Sequence, residues 1–341
     1  MGTCVQSIDT LKTAQGMSAV GLGGAALGNL YSAISDEQAV ATVHEALARG
    51  IRLIDTAPYY GHALSETRIG AALRAWKGER PLLSTKVGRV LEPVAPGEEI
   101  SDFGFADPMP FHPRFDYSRD GIRRSLEESL QRLGVEHIDL ALVHDFDRRT
   151  HGEAYPRIFA QFLDESLPAL EAARSEGLVR QIGVGVNEWD VCLEALKHAP
   201  LDCILLAGRY TLLEQPAYTC GLLDLCAQRG VQVIAAGVFN SGLLATRPTP
   251  ASTYNYEPAQ QETLGSAQRL WQMCEALGVA PQAAALQFPL GHPAVAAVVV
   301  GARSPAEVAD LTIWRDAVLP AQLWHMLRQE GFLAAGVPTG P

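Results

Sequence analysis

Four ionisable side chains stand at or just after the ends of three short apolar segments. Asp55 ends one segment and Tyr60 follows it, Lys86 ends the next segment, and His144 ends a third. The carboxyl ends of parallel strands converge in space. If the three segments are parallel strands, the four side chains therefore form one cluster.

Such a cluster suits proton transfer to or from an oxygen bound to carbon. A free phenol has a pKa of about 10, and a nearby ammonium lowers that pKa by favouring the phenolate. A carboxylate keeps the ammonium charged and fixed, while an imidazole can orient a carbonyl or alcohol oxygen. Because no protein side chain carries a hydride, redox chemistry at this cluster requires a nicotinamide.

The rest of the chain alternates between short apolar runs and amphipathic stretches. The runs predict eight strands, at residues 19–22, 52–54, 82–85, 138–143, 181–185, 203–206, 231–235 and 295–300. Helical spacing predicts helices at residues 36–49, 163–175, 188–198, 218–229 and 261–277, and another after the capping residue Ser118. This alternation predicts an α/β fold, a closed (β/α)₈ TIM barrel in a single domain over residues 1–341, with a doubly wound open sheet as the alternative.

Two long stretches interrupt the alternation. Residues 90–114 are rich in proline and contain three phenylalanines, and residues 246–258 are similar but shorter. Both follow strands on the side of the ionisable cluster, so we expect residues 90–114 to be a long active-site loop, the alternative being a solvated surface loop. Residues 1–17 precede the first strand and are expected to cap the other end of the barrel.

Composition excludes several classes of function. The net charge of −11 argues against a nucleic-acid partner. The six cysteines form no CxxC pattern, which indicates free thiols in a reducing compartment and predicts a cytoplasmic protein. We see neither a signal peptide nor an apolar run long enough to span a membrane, and no residue spacing indicates a metal site.

Three segments are candidates for binding a cofactor. A glycine-rich run containing Gly24 follows the first strand; it is a weak match to a dinucleotide fingerprint and better fits a tight turn close to a ligand. Asn187 follows the fifth strand and can bind a carboxamide, the alternative being a helix N-cap. Gly301 and Arg303 follow the last strand, where Ser304 is expected to cap a helix whose amino end can bind phosphate.

Taken together, these motifs resemble the aldo-keto reductase family. The resemblance covers most of the chain and lies in the order of several short motifs: Asp55–Gly61, Ser65-Glu66 with Gly70, Ser84-Thr-Lys86, Leu133-Gly134 with Ile138-Asp139, Val143-His144, Gly177 with Ile182-Gly183-Val184, and Gly242-Leu243-Leu244. It implies a barrel that binds an extended nicotinamide dinucleotide, with Asp55, Tyr60, Lys86 and His144 as the catalytic tetrad. Tyr60 takes the acid–base role because it precedes Gly61, and Tyr59 is expected to line the pocket.

The resemblance also implies cofactor contacts, and some positions depart from the family pattern. Phe239 and Ser241 follow the seventh strand, where Ala236 replaces a tyrosine that often stacks on the nicotinamide. Members that prefer NADPH carry basic residues where this chain has Gly301 and Glu307. The segment from Gly301 to Asp310, with Arg303, is therefore expected to bind NAD, with NADP possible.

Within the family, the chain resembles a subgroup that oxidises aldoses, the D-threo-aldose 1-dehydrogenases or L-fucose dehydrogenases, together with pyridoxal 4-dehydrogenases. The implied reaction is oxidation of the anomeric carbon of a sugar such as L-fucose to a lactone, in a pocket lined by Tyr59, Trp189, Phe103 and Phe105. Alternatives are a pyridoxal 4-dehydrogenase, a general aldehyde or ketone reductase, or, in a different class, a cofactor-binding regulatory subunit.

Overall fold

A computed structural model of the chain describes residues 20–95, 97–255 and 257–340, and its centre is a closed barrel of eight parallel strands. In order around the barrel the strands are β1 (Val20–Gly23), β12 (Val295–Gly301), β9 (Gln232–Ala236), β8 (Cys203–Ala207), β7 (Val179–Val186), β6 (Ile138–His144), β3 (Leu82–Val87) and β2 (Leu53–Asp55). The first strand closes the barrel by pairing with both β12 and β2. This confirms the predicted barrel and excludes the open sheet. Residues 1–17 lie outside the described part of the chain.

Helices surround the barrel. They are α1 (Asp36–Ala48), α2 (Leu64–Ala75), α3 (Arg119–Leu133), α4 (Arg148–His151), α5 (Tyr155–Gln161), α6 (Leu167–Ser175), α7 (Trp189–His198), α8 (Pro216–Thr219), α9 (Leu222–Arg229), α10 (Gln261–Ala276), α11 (Pro281–Gln287), α12 (Pro305–Asp316) and α13 (Ala321–Gln329). Ser118 and Ser304 cap α3 and α12 as predicted, each accepting a hydrogen bond from a main-chain N–H of the first turn. Of the helices in the described ranges, none combines the length and apolarity needed to cross a membrane.

Two predicted helices are interrupted. The predicted helix over residues 218–229 is divided between α8 and α9 by Gly221, whose φ is +80°. The predicted helix over residues 163–175 begins with a π-helical turn, Phe162–Ser166, before α6. Apolar spacing does not reveal such local changes in the hydrogen-bonding pattern, because the buried face stays continuous across them.

The predicted strands differ from the observed ones mainly at their ends. Strand β7 begins at Val179, two residues before its predicted start, because the exposed Arg180 interrupts the apolar run. Strand β3 continues through Lys86 to Val87, although a lysine normally ends a buried strand. Lys86 can lie inside the barrel because its charge is paired there, as described below.

Apolar side chains form two cores. A small one fills the barrel interior, with Leu53, Leu140, Leu142, Cys203, Leu205, Ile234, Ala297 and Val299. A much larger one lies between the strands and the helices. The cysteines in the described ranges, at positions 192, 203, 220, 226 and 274, are free thiols.

The stretch over residues 90–114, predicted to be one long loop, contains two strands. Strand β4 (Arg89–Pro93) pairs antiparallel with β5 (Phe111–Phe115), so this stretch is a β-hairpin with a long tip. Proline weighed against strand prediction here, yet Pro93 and Pro113 are accommodated because both strands are edge strands. The shorter stretch, residues 246–258, likewise contains a small hairpin of β10 (Thr253–Tyr254) and β11 (Glu257–Pro258).

Main-chain hydrogen bonds fix the hairpin tip against two other loops. Gly104 accepts a hydrogen bond from the N–H of Tyr31 (2.9 Å), and the N–H of Ala106 donates to the carbonyl of Asn29 (3.0 Å). The N–H of Met109 donates to the carbonyl of Gly61, next to Tyr60 (3.1 Å). The tip is therefore bound to the loops after β1 and β2, at the carboxyl end of the barrel.

Candidate active site

The barrel brings Asp55, Tyr60, Lys86 and His144 together at the carboxyl ends of three adjacent strands, β2, β3 and β6. Lys86 lies between the other three. Its Nζ is 2.7 Å from Asp55 Oδ2 and 4.6 Å from the centroid of the Tyr60 ring. The Tyr60 and His144 ring centroids are 6.2 Å apart, and their planes are nearly perpendicular at 86°.

Lys86 is almost completely enclosed, with 2% of its surface exposed. Its ammonium also donates to the carbonyl of Thr56 (2.9 Å), and Ser84 Oγ donates to Asp55 Oδ1 (2.8 Å), so both oxygens of the carboxylate are bonded. Burial alone lowers the pKa of Lys86, but the Asp55 carboxylate and the Tyr60 side chain outweigh burial and raise that pKa. The lysine therefore stays charged inside the barrel.

Glycine at position 185 makes room for the lysine stem. A Cβ on Gly185, in the neighbouring part of β7, would lie 3.3 Å from Lys86 Cε and 3.5 Å from its Cδ. A side chain at this position would crowd the lysine stem. Gly185 thus serves the site through packing.

The turn carrying Tyr60 is held by close main-chain contact with the loop after β1. A Cβ on Gly28 would come within 2.6 Å of the Tyr60 carbonyl carbon, so only glycine fits this approach. Gly61 follows with a φ of +64°. The Phe105 ring, from the hairpin tip, packs 6.2 Å from the Tyr60 ring.

His144 is buried and electrically neutral. Burial, together with the positive charges of Arg89 and Lys86, holds the pKa of His144 well below its usual range. Its Nε2 lies 3.3 Å from Asp145 Oδ2. Its Nδ1 is buried, and no group within the described ranges forms a hydrogen bond to it. A neutral imidazole beside a carboxylate favours the tautomer that carries its proton on Nε2.

Tyr59 is placed differently from Tyr60. Its ring lies 3.9 Å below the Arg89 guanidinium, and burial raises the pKa of Tyr59 despite the lowering effect of Arg89. Phe105 packs edge-on against it at 5.3 Å, and Phe103, 54% exposed, lies 6.1 Å away. Three of the predicted pocket residues thus form one aromatic wall beside the His144 ring.

The place of Trp189, the fourth predicted pocket residue, in the pocket remains a prediction. Trp189 begins α7, is half-buried and packs against the outer core. The alternative interpretation of Asn187 as a helix N-cap is wrong, because α7 starts after Glu188 and no side-chain bond caps it. Asn187 lies half-buried just beyond the end of β7.

Sequence reasoning missed an ion pair at the edge of this cluster. Arg89 Nη2 lies 2.7 Å from Asp145 Oδ2, and the two side chains are 12% and 17% exposed. Asp145 directly follows His144, and Arg89 comes three residues after Lys86. The sequence signal that could have revealed this pair is the closeness of both residues along the chain to His144 and Lys86. Among the described residues, no group of three His, Cys, Asp or Glu side chains could hold a metal ion.

The glycine-rich run after β1 owes its small residues to packing. A Cβ on Gly24 would lie 2.6 Å from Ser65 Oγ and 2.9 Å from the Asp55 carbonyl, and the N–H of Gly24 donates to that carbonyl (2.7 Å). The run opens a barrel loop, so the dinucleotide-fingerprint interpretation is wrong. A contact between Gly24 and a cofactor remains a prediction.

The end of β12 has features that fit a phosphate-bearing cofactor. Gly301 is exposed, and Gly23 lies beside it on β1, so the main chain there carries no side chains that would block a ligand. The amino end of α12 follows, with the exposed Arg303. Glu307 pairs with Arg303, its Oε1 3.2 Å from Nη2, and Asp310 is exposed further along the helix. Helix amino ends favour anions, whereas Glu307 opposes a second phosphate near Arg303.

The loop after β9 is the remaining cofactor candidate. Asn240 and Ser241 both adopt left-handed backbone conformations, with φ values of +49° and +56°. The Phe239 ring packs perpendicular to Trp314 of α12 at 5.9 Å, and Thr253 Oγ1 of the second hairpin donates to the Ser241 carbonyl (3.0 Å). Ala207 and Ala236, at the ends of β8 and β9, are half-buried.

This fold and this cluster define the class of protein. Residues 19–329 match the aldo/keto reductase family, and the chain belongs to that family. It is an NAD(P)-dependent oxidoreductase that acts on a small molecule.

Comparison with individual relatives supports the family assignment. The chain is 39% identical over 332 residues to a pyridoxal 4-dehydrogenase of Microbacterium luteolum, covering 95% of this chain and 96% of that one. It is 40% identical over 315 residues to a D-threo-aldose 1-dehydrogenase of a Pseudomonas species, covering 91% and 93%. The solved structure of a glycerol dehydrogenase from Gluconobacter oxydans is similar with a TM-score of 0.72 at 26% identity, covering 95% and 94%.

Proposed function

We propose that this protein oxidises the anomeric carbon of an aldose such as L-fucose to the lactone, with NAD as the electron acceptor. The observation that carries the proposal is the buried Lys86, 2.7 Å from Asp55 and directly beside Tyr60, with the neutral His144 ring across from it. This arrangement suits proton removal from a C–OH group. The likeness to a D-threo-aldose 1-dehydrogenase supports an aldose as substrate.

Each member of the proposed tetrad has a separate role. Tyr60 accepts the proton of the anomeric hydroxyl, because the Lys86 ammonium stabilises its phenolate. Asp55 holds Lys86 charged and in place. The His144 Nε2–H lies a long 3.3 Å from Asp145 Oδ2, so in this proposal it also donates to the substrate oxygen and thereby orients the reacting carbon. The low pKa of His144 keeps it a neutral donor at pH 7.

A bound nicotinamide supplies the acceptor for the hydride that leaves the anomeric carbon. In this proposal Asn187 binds its carboxamide, and Phe239 and Ser241 line the ring and the adjoining phosphates. Gly301, Arg303 and Asp310 hold the adenosine end. Glu307 neutralises Arg303 and repels a 2′-phosphate, which favours NAD over NADP.

A second candidate substrate is pyridoxal, which also forms a cyclic hemiacetal. The likeness to a pyridoxal 4-dehydrogenase favours it. The aromatic wall of Tyr59, Phe103 and Phe105 suits a planar ring as well as the apolar face of a deoxysugar. The same proton transfer would serve both substrates.

A substrate panel with both cofactors tests the proposal. L-fucose, D-arabinose, L-galactose and pyridoxal are each assayed for oxidation with NAD and with NADP, and a simple aldehyde is assayed for reduction with NADH and with NADPH. The absorbance of the reduced nicotinamide follows every reaction. Highest kcat/KM for L-fucose with NAD supports the proposal. Highest kcat/KM for pyridoxal would favour the second candidate, and turnover of the simple aldehyde alone would contradict both.

A further inference from the structure

The ion pair between Arg89 and Asp145 lies where a substrate would meet His144. Asp145 Oδ2 is 3.3 Å from His144 Nε2, the atom proposed to hold the reacting oxygen, and 2.7 Å from Arg89 Nη2. Both contacts use Oδ2. The Asp145 side chain is not fully buried, with 17% of its surface exposed.

The backbone of Asp145 is held in a conformation that few residues adopt. Its φ is +47°, in the left-handed region that L-residues seldom adopt, although Asp tolerates it better than most. Three contacts fix it there. The N–H of Asp145 donates to the Gly185 carbonyl (3.1 Å), and its own carbonyl accepts from Tyr117 Oη and lies 3.0 Å from His151 Nε2. Backbone strain maintained in this way is typical of functional sites.

Arg89 is fixed just as firmly. Its guanidinium lies between two aromatic rings, 3.9 Å from the centroid of Tyr59 and 4.1 Å from that of Phe115. This stacking leaves the guanidinium edge directed at Asp145. The carboxylate thus keeps a fixed position, and its charge is compensated without using Oδ1.

We propose that the Arg89–Asp145 pair binds the hydroxyl group on the carbon next to the reacting one, and so selects substrates that carry it. This inference rests on the proposed function, because it assumes that the reacting oxygen lies at His144 Nε2. An oxygen within roughly 2.6–3.2 Å of Nε2 brings the neighbouring hydroxyl within reach of the carboxylate. A carboxylate can accept that hydroxyl hydrogen, whereas a substrate lacking the hydroxyl leaves it without a partner.

The test compares substrates that differ only in this hydroxyl. One pair is L-fucose and 2-deoxy-L-fucose, assayed by oxidation; the other is glycolaldehyde and acetaldehyde, assayed by reduction. We expect the wild-type protein to prefer the hydroxylated member of each pair by about 10- to 100-fold in kcat/KM.

Two variants of Asp145 decide the role of the pair. Asp145→Gly suits the left-handed backbone and removes the carboxylate, so the kcat/KM ratio between the hydroxylated and the deoxy substrate is expected to fall towards one. Asp145→Asn keeps an acceptor oxygen and is expected to give an intermediate ratio. Asp202→Asn is the control, because Asp202 pairs with Arg174 (2.9 Å) just before β8, at the opposite end of the barrel. It is expected to leave both ratios unchanged.

The outcomes separate this inference from the proposed function. The inference is overturned if Asp145→Gly leaves the kcat/KM ratio within a substrate pair unchanged. This includes the case in which kcat/KM falls equally for both members of the pair. If the wild type oxidises no sugar but prefers glycolaldehyde in a manner that depends on Asp145, the proposed function fails and the inference stands.

Discussion

Replacing Lys86 with methionine tests what the buried ion pair contributes to the stability of the protein and, separately, what it contributes to turnover. The substitution keeps the unbranched stem without the ammonium and leaves the Asp55 carboxylate, 3% exposed, with Ser84 as its remaining side-chain partner. Removing one member of a buried ion pair typically costs about 3–5 kcal/mol. Total stabilities are roughly 5–15 kcal/mol, so we expect the variant to fold with a much reduced free energy of unfolding.

The decisive comparison is between the Lys86→Met variant and the double variant Asp55→Asn, Lys86→Met. The amide has no charge and can still accept from Ser84, so we expect the free energy of unfolding to return to within about 1–2 kcal/mol of the wild type. Turnover is expected to stay at least about 10²-fold below wild type in both variants, because no ammonium remains beside Tyr60. Urea unfolding and steady-state kinetics measure the two effects.

An exposed ion pair provides the control for burial. Arg123 lies 2.6 Å from Glu176, but both side chains are well exposed, so Arg123→Met is expected to cost no more than about 1 kcal/mol. A Lys86→Met variant as stable as Arg123→Met would refute the energetic reasoning. Recovered turnover in the double variant would refute the role of Lys86.

Three further predictions concern the tetrad and the proposed cofactor-binding residues after β12. Tyr60→Phe is expected to lower kcat by about 10²-fold or more with cofactor binding retained in a fluorescence titration, whereas Tyr59→Phe should be milder; the reverse ranking would contradict the assignment. His144 has a folded-state pKa below its unfolded value, so the unfolded state binds the extra proton and stability falls as pH drops below about 6.5. His144→Gln is then expected to flatten the pH dependence of urea unfolding by up to about 1.4 kcal/mol per pH unit, and an unchanged slope would contradict a neutral, buried imidazole. Glu307→Arg frees Arg303 and adds a second cation, so kcat/KM with NADP relative to NAD is expected to rise roughly tenfold, equivalent to about 1.4 kcal/mol; a fall in that ratio would count against the proposed cofactor preference.

The sequence predicted the barrel and the grouping of the tetrad because both depend on strand ends. An apolar run that terminates in a charged residue marks a carboxyl end, and parallel topology brings such ends together. Asp55, Lys86 and His144 could therefore be grouped without knowing any distance. Their geometry, and the neutral state of His144, required the structure because both depend on burial.

Elements whose buried residues are polar could not be predicted in this way. Helix α2 was missed because Ser65, Glu66 and Arg68 are buried where apolar residues are expected. Glu66 accepts hydrogen bonds from Thr85 and Arg132, each 2.6 Å away, and these partners come from distant parts of the chain. Apolar periodicity carries no information about such pairing.

The Arg89–Asp145 pair was missed for a related reason. Its formation depends on the left-handed backbone at Asp145 and on the hairpin that begins at Arg89. Neither feature has a local sequence signal, and the prolines of the hairpin argued against strands. Position beside Lys86 and His144 was informative only once the tetrad was assigned.

The docking of the hairpin tip has a consequence for exchanging substrate specificity between relatives. Because Gly104, Ala106 and Met109 bond to the main chain of Tyr31, Asn29 and Gly61, the pocket rim is one structural unit built from three stretches of sequence. A hairpin transplanted alone would lose the partners that hold Phe103 and Phe105 over the tyrosines. A chimera should therefore exchange the loops after β1 and β2 together with the hairpin, and natural variation in the three segments is expected to be coupled.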